Sequence, residues 1–154
     1  MEERHVVTVF LENDGKIAMF RRSDRVGTYR GRWGGVAGYL EPGVTPYQQA
    51  LTEIGEEAGL GADDVQFIAQ GEVVPVEDEA LGRRWLVHPF RFRVLSPQKV
   101  AVDWEHSELR WIDPVELAEY DTVPGLAQAW ASAAGADAAV ETEETRARGR
   151  YNSQ

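Results

Sequence analysis

The sequence predicts a single α/β domain on three observations: segments that alternate apolar and polar residues every second position, one strongly capped amphipathic helix, and turn chemistry between them. The chain has 154 residues, a length that buries about 70% of the unfolded surface around one core. His5 to Leu11 alternates, Asn13-Asp14-Gly15 supplies a turn, and Lys16 to Phe20 resumes the apolar run, which reads as a β-hairpin. Trp33 to Tyr39 reads as a short strand whose glycines mark where another backbone or a ligand comes close. A loop, Leu40 to Val44, leads into the helix.

That helix has a legible start and stop. Thr45 is a hydroxyl N-cap, Pro46 stands at the first helical position, and Gln48 is placed to complete a capping box. Tyr47, Ala50, Leu51, Ile54 and Ala58 recur at helical spacing, and Gly59 suits the left-handed residue that ends a helix. Beyond it, Val65 to Val76 and Arg83 to Leu95 read as two long β segments joined by an acidic turn, Glu77-Asp78-Glu79, and Glu108 to Ile112 as a further strand. Pro114 to Glu119 reads as a short helix. Val123 to Ala134 reads as another, with Leu126, Ala127 and Trp130 on its buried side. From Gly135 the apolar periodicity stops, so the expected organisation is a domain over residues 1–134 and a polar, disordered tail or linker over 135–154.

Composition narrows the function classes. Without cysteine, disulfides and thiolate metal sites are excluded, and a metal must be held by oxygen or imidazole. The N-terminus, MEERHVVTVF, lacks the apolar core of a signal peptide or membrane span, so a soluble, cytoplasmic protein with no membrane partner is expected. A net charge of −10 argues against binding long nucleic acid, whose affinity comes mainly from lysine and arginine displacing counterions, but allows a small phosphorylated ligand. Lys16 and Lys99 are the only lysines, a bias that fits a GC-rich genome or a salt-adapted surface and concerns solubility.

The chemistry concentrates in Gly38 to Leu60, GYLEPGVTPYQQALTEIGEEAGL. On the predicted helix Glu53, Glu56 and Glu57 stand at i, i+3 and i+4, which puts three carboxylates within reach of one cation. Hard divalent cations, Mg²⁺ or Mn²⁺, take such oxygen ligands and bridge them to phosphate oxygens. For the triplet alone, a solvated acidic helix face is the alternative.

The segment resembles the box of the Nudix hydrolase superfamily, G-x5-E-x7-R-E-U-x-E-E-x-G-U with U aliphatic. Gly38, Glu53, Ile54, Glu56, Glu57, Gly59 and Leu60 match seven of its nine fixed positions. The resemblance, which spans residues 5–134, implies an α/β/α sandwich with a mixed β-sheet. It also implies a Mg²⁺- or Mn²⁺-dependent pyrophosphohydrolase acting on a small nucleotide: a nucleoside diphosphate linked to another group, or a nucleoside triphosphate. Glu53 and Glu57 become the main metal ligands and catalytic residues, with Glu56 and the backbone carbonyl of Ala37 completing the shell. Glu53 is the in-helix candidate to activate water for in-line attack on phosphorus.

Two positions depart from the pattern: Val44 replaces the first glutamate of the box and Thr52 its arginine. The family's pair braces the loop against the helix, so losing both removes a charge pair without stranding one charge, and Val44 with Thr52 is expected to pack as an apolar substitute. The departures also permit a nucleotide-sensing or interaction module with little turnover.

Family members often recruit a further acid from a loop. Glu105 is the first choice, followed by Glu77, Asp78 and Glu79. Arg21, Arg22, Arg25, Arg30 and Arg32 lie where phosphates are expected, with surface ion pairs as the alternative. His5, His88 and His106 lack metal-ligand spacing and read as structural, and of the five tryptophans only Trp85 and Trp104 are candidates to line a nucleobase pocket. The segment from Ser23–Tyr29 through Asp121–Leu126 also resembles Nudix domains found ahead of a domain related to the initiation factor 2B alpha subunit, a resemblance that implies the tail is a linker or its remnant. A homodimer is compatible with the family, although no seam is legible.

Overall fold

The structure, a computed structural model, describes residues 1–135. β1 (Glu2–Asn13) and β2 (Lys16–Arg22) form the expected hairpin. Asp14 and Gly15 take φ of 52° and 75°, the backbone of a two-residue turn whose twist matches the strands. The two strands pair only beside this turn. Farther along, β1 takes β4 (Val36–Tyr39) as its antiparallel partner, while β2 takes β3 (Trp33–Gly34) and β8 (His106–Ile112). The single strand expected at Trp33–Tyr39 is thus two, which change partners at Gly35. A Cβ at Gly35 would lie 2.5 Å from the Val9 carbonyl oxygen, so a side chain has no room there.

On its other edge β1 runs parallel to β7 (Arg83–Val94), from Glu2 opposite Arg83 to Glu12 opposite Arg93. β7 is also paired antiparallel with β5 (Val65–Gln70) and β6 (Val74–Asp78), so the eight-stranded sheet is mixed, as expected. The long segment Val65–Val76 is broken at residues 71–73. Gly71 passes so close to the second helix that a Cβ would meet the Ser132 Oγ at 2.5 Å, and that hydroxyl donates to the Glu72 carbonyl at 2.6 Å. Glu77 and Asp78 belong to β6, and the turn itself is residues 79–82, closed by Gly82 N–H donating to the Glu79 carbonyl at 3.1 Å.

Helices cover both faces. α1 (Pro46–Ala58) has the predicted capping box: Thr45 accepts from the Gln48 amide at 3.1 Å, and the Gln48 side chain accepts from the Thr45 amide at 3.1 Å. Gly59 ends it with φ of 69°. Its apolar stripe, Ala50, Ile54 and Ala58, packs on Val7, Val9, Leu11, Phe90 and Phe92. The opposite face of the sheet presents Phe10, Met19, Trp85 and Val87 to α2, residues 126–135. This helix starts later than the expected Val123, because Thr122 bridges to Trp33 and the Val123 amide donates to the Trp33 carbonyl at 2.9 Å. Leu126, Ala129 and Ala133 are buried, Trp130 packs on the same core as expected, and Ala127 faces out. Pro114–Glu119 is a 3₁₀ helix capped by Asp113. Gly135 still belongs to α2, and the remainder of the expected tail, residues 136–154, lies outside the described residues. Among the described residues no helix is long and apolar enough to cross a membrane.

Because the Val9 carbonyl cannot move without breaking the β1 ladder, Gly35→Ala is expected to destabilise by about 1–3 kcal/mol. A urea unfolding curve checks this as a lower midpoint with native secondary structure below the transition.

Candidate active site

The backbone of β4 lies across the carboxylate face of α1. Two of the three helix glutamates are buried there: Glu57 is 4% exposed and Glu53 8%, while Glu56 remains in solvent. The solvated acidic face is therefore not what this helix presents. Glu57 Oε1 accepts the Ala37 amide at 3.2 Å. Glu53 lies against Gly38, where a Cβ would stand 1.8 Å from its Oε1. The glycine of the box is thus the space that the Glu53 carboxyl occupies.

Loops complete the cluster. Glu105, the first-choice loop acid, acts electrostatically on both Glu53 and Glu57. It is held by Ser23, a buried residue whose amide donates to the Glu105 carbonyl at 2.7 Å and whose hydroxyl donates to the Trp104 carbonyl at 2.9 Å. Glu77, Asp78 and Glu79 lie elsewhere, on the β6–β7 hairpin, and Asp78 is engaged by the Tyr29 hydroxyl and the Leu81 amide. His106, buried at the start of β8, meets Asp103 Oδ1 through Nδ1 at 2.9 Å, and its Nε2 lies 3.9 Å from Glu57 Oε1. Burial lowers the pKa of this imidazole, against the Asp103 carboxylate that accepts from its Nδ1.

The arginines expected to meet phosphates mostly brace their own loop. Arg21 donates to the Gly31 carbonyl, Arg22 to that of Thr28, Arg30 to that of Val26, and Arg32 to that of Thr122. Arg25 is exposed over the ring of Trp104, itself 57% exposed, whereas Trp85 is buried with its Nε1 donating to Tyr29. The expected apolar substitute for the missing ion pair is absent. Thr52 is exposed with its hydroxyl donating to the Gln48 carbonyl at 3.1 Å, and Val44 is half-buried on the loop. The loop is tied instead by Gln49, a buried side chain whose Oε1 accepts the Glu41 amide at 3.0 Å.

Electrostatics follow from this burial. Loss of hydration pushes the Glu57 carboxyl up to about 9, against the Ala37 hydrogen bond and with help from Glu105, Glu53 and Asp103. Glu53 rises to about 7 through burial first, then Glu56 and Glu105. Glu105 is raised by burial and Asp103 and lowered by Arg22. Among the described residues no lysine or arginine forms an ion pair with Glu53, Glu56 or Glu57, and no three acid or imidazole groups already converge as a coordination shell. Oxygen donors crowded together without a cationic side chain fit a hard divalent cation.

The NUDIX domain family profile matches residues 1–132. The chain belongs to that family. Nudix proteins similar to it include the nucleoside triphosphatase NudI of Salmonella newport, 27% identical over 79% of this chain and 89% of that protein. In fold it is similar to a NUDIX hydrolase from Nitrosomonas europaea (TM-score 0.67, 22% identity, 84% and 86% of the two chains). It is also similar to a C. elegans Ap4A hydrolase (TM-score 0.65, 16% identity, 84% and 92%). As a Nudix hydrolase it acts on phosphoanhydride bonds.

Two outcomes are expected. A carboxyl whose folded pKa is raised binds its proton more tightly in the native state. The stability it contributes is present below the usual 4.5 and is lost as pH rises towards about 9. In EDTA, the melting temperature is expected to fall across that window and to fall less in Glu57→Gln, as thermal melts over a pH series would register. Gly38→Ala is expected to displace the Glu53 carboxyl and to lower activity by on the order of 10²-fold, with the circular dichroism spectrum unchanged.

Proposed function

We propose that this Nudix domain is a Mg²⁺- or Mn²⁺-dependent pyrophosphohydrolase of small nucleotides, cleaving a nucleoside triphosphate or a nucleoside diphosphate linked to another group. The observation that carries the reading is the burial of Glu53 and Glu57 beneath Gly38 and Ala37, with the Glu105 loop beside them. Two carboxyl groups buried together without a cationic partner among the described residues make little sense for folding alone and good sense for holding a metal. Glu53, Glu56 and Glu57, with the Ala37 carbonyl, are the residues to hold it, and Glu105 is the additional acid. A bound divalent ion lowers the pKa of water and offsets charge on the phosphoryl oxygens.

The chain's own residues supply the rest. Glu53, buried against Gly38 on the rigid helix, is the in-helix group placed to accept the water proton. Glu57 is oriented by the Ala37 amide, which donates to its Oε1. The substrate class is supported by the similarity to a nucleoside triphosphatase. The second reading, a module that binds nucleotide with little turnover, is favoured by one observation: residues 44 and 52 provide no brace between loop and helix.

The test is a pooled screen of nucleoside triphosphates, nucleotide sugars and dinucleoside polyphosphates with Mg²⁺ and Mn²⁺, beside Glu57→Gln. Hydrolysis in one pool that needs the metal and drops by on the order of 10²-fold or more in the variant is the expected result. Thermal stabilisation by a nucleotide without turnover in any pool would replace the enzyme with the binding module.

A further inference from the structure

The loop before α1 and the Glu53 carboxyl meet at one side chain outside the glutamate triplet. Gln49 is 4% exposed, and its Oε1 accepts the Glu41 amide at 3.0 Å. Because a backbone N–H must meet an oxygen, that bond fixes the orientation of the amide and leaves the Nε2 hydrogens as donors. Glu53 stands four residues on, on the same buried face of the helix, which puts its carboxyl within reach of those donors.

We infer that Gln49 is the positioning residue of this site, a neutral clamp that ties residues 40–44 to α1 with its oxygen and orients Glu53 with its nitrogen. The inference rests on the reading of Glu53 as a metal ligand. Neither alternative brace is available: the Thr52 hydroxyl is spent on the Gln48 carbonyl, and Val44 has no polar group to offer. A neutral amide also suits this place. A cation there would compete with the metal for Glu53, whereas an amide orients the carboxylate and leaves its charge in place.

The test is a double-mutant cycle read as Mn²⁺ affinity, measured by electron paramagnetic resonance of free Mn²⁺, with turnover recorded beside it. Gln49→Met keeps the volume and loses both hydrogen bonds. It is expected to weaken Mn²⁺ binding by about 10–100-fold and to lower kcat more than it raises KM. In a Glu53→Gln background it is expected to change Mn²⁺ affinity little further, because the route through Glu53 is already gone. Equal weakening in both backgrounds, or wild-type affinity in Gln49→Met, would overturn the inference. If Gln49→Met does not fold, Gln49→Asn, one methylene too short to reach both partners, is measured in the same cycle with the same outcomes. Wild-type protein that binds no Mn²⁺, or Glu53→Gln that binds it unchanged, would instead overturn the reading of Glu53 and the inference with it.

Discussion

Burying Glu53 and Glu57 between α1 and the backbone of β4 takes two carboxylates out of water within one helical turn of each other. Desolvation and mutual repulsion both act against their charged forms, and the Ala37 amide only partly offsets this for Glu57. Much else in the molecule positions or relieves that pair. The hairpin separates beyond its turn so that β4 can run along β1, and Gly38 leaves the space into which Glu53 fits. α1 is held rigidly at both ends, by a reciprocal capping box and a left-handed glycine, so the carboxylates are set on a scaffold and not on a loop.

The remaining groups come from loops, and short hydrogen bonds make those loops specific. Ser23 is the joint between the segment after β2 and the segment before β8, clasping two successive carbonyls, of Trp104 and Glu105. Asp103 then orders the same turn, accepting from the Glu105 amide at 3.2 Å and from the His106 ring at 2.9 Å. The effect is a second acidic wall over the helix, with an imidazole between Asp103 and Glu57. The loop arginines serve this arrangement by holding their own backbone, and Arg22, which acts on Glu105, limits the repulsion that the wall creates.

Legibility in the sequence followed the range of the interactions. The helix, its caps and the glutamate triplet are local features, written within a few residues, and each stands where the pattern put it. Glu105 was legible only as an acid ahead of a strand. The breaks at Gly35 and at residues 71–73 were not legible, because their causes are the Val9 carbonyl and Ser132, both far away in the chain. His106 and Ser23 were missed for the same reason: their partners become neighbours only when β2 and β8 pair. Gln49 did carry a signal. It is a polar residue beside the buried stripe and one turn before Glu53, a place where an amide is either solvated or bonded inward.

The same contrast bears on the two departures from the family box. Read by position, Val44 and Thr52 look like a lost function, since the residues that would form an ion pair are gone. In three dimensions the task of such a pair is to hold a loop against a helix, and this needs hydrogen bonds more than it needs charge. Gln49 makes them from inside the helix, where it is shielded from water and where a salt bridge would have to bear a larger desolvation cost. A motif records which residues commonly perform a task; the task itself is geometric, and a neighbouring position on the same helix face can take it over.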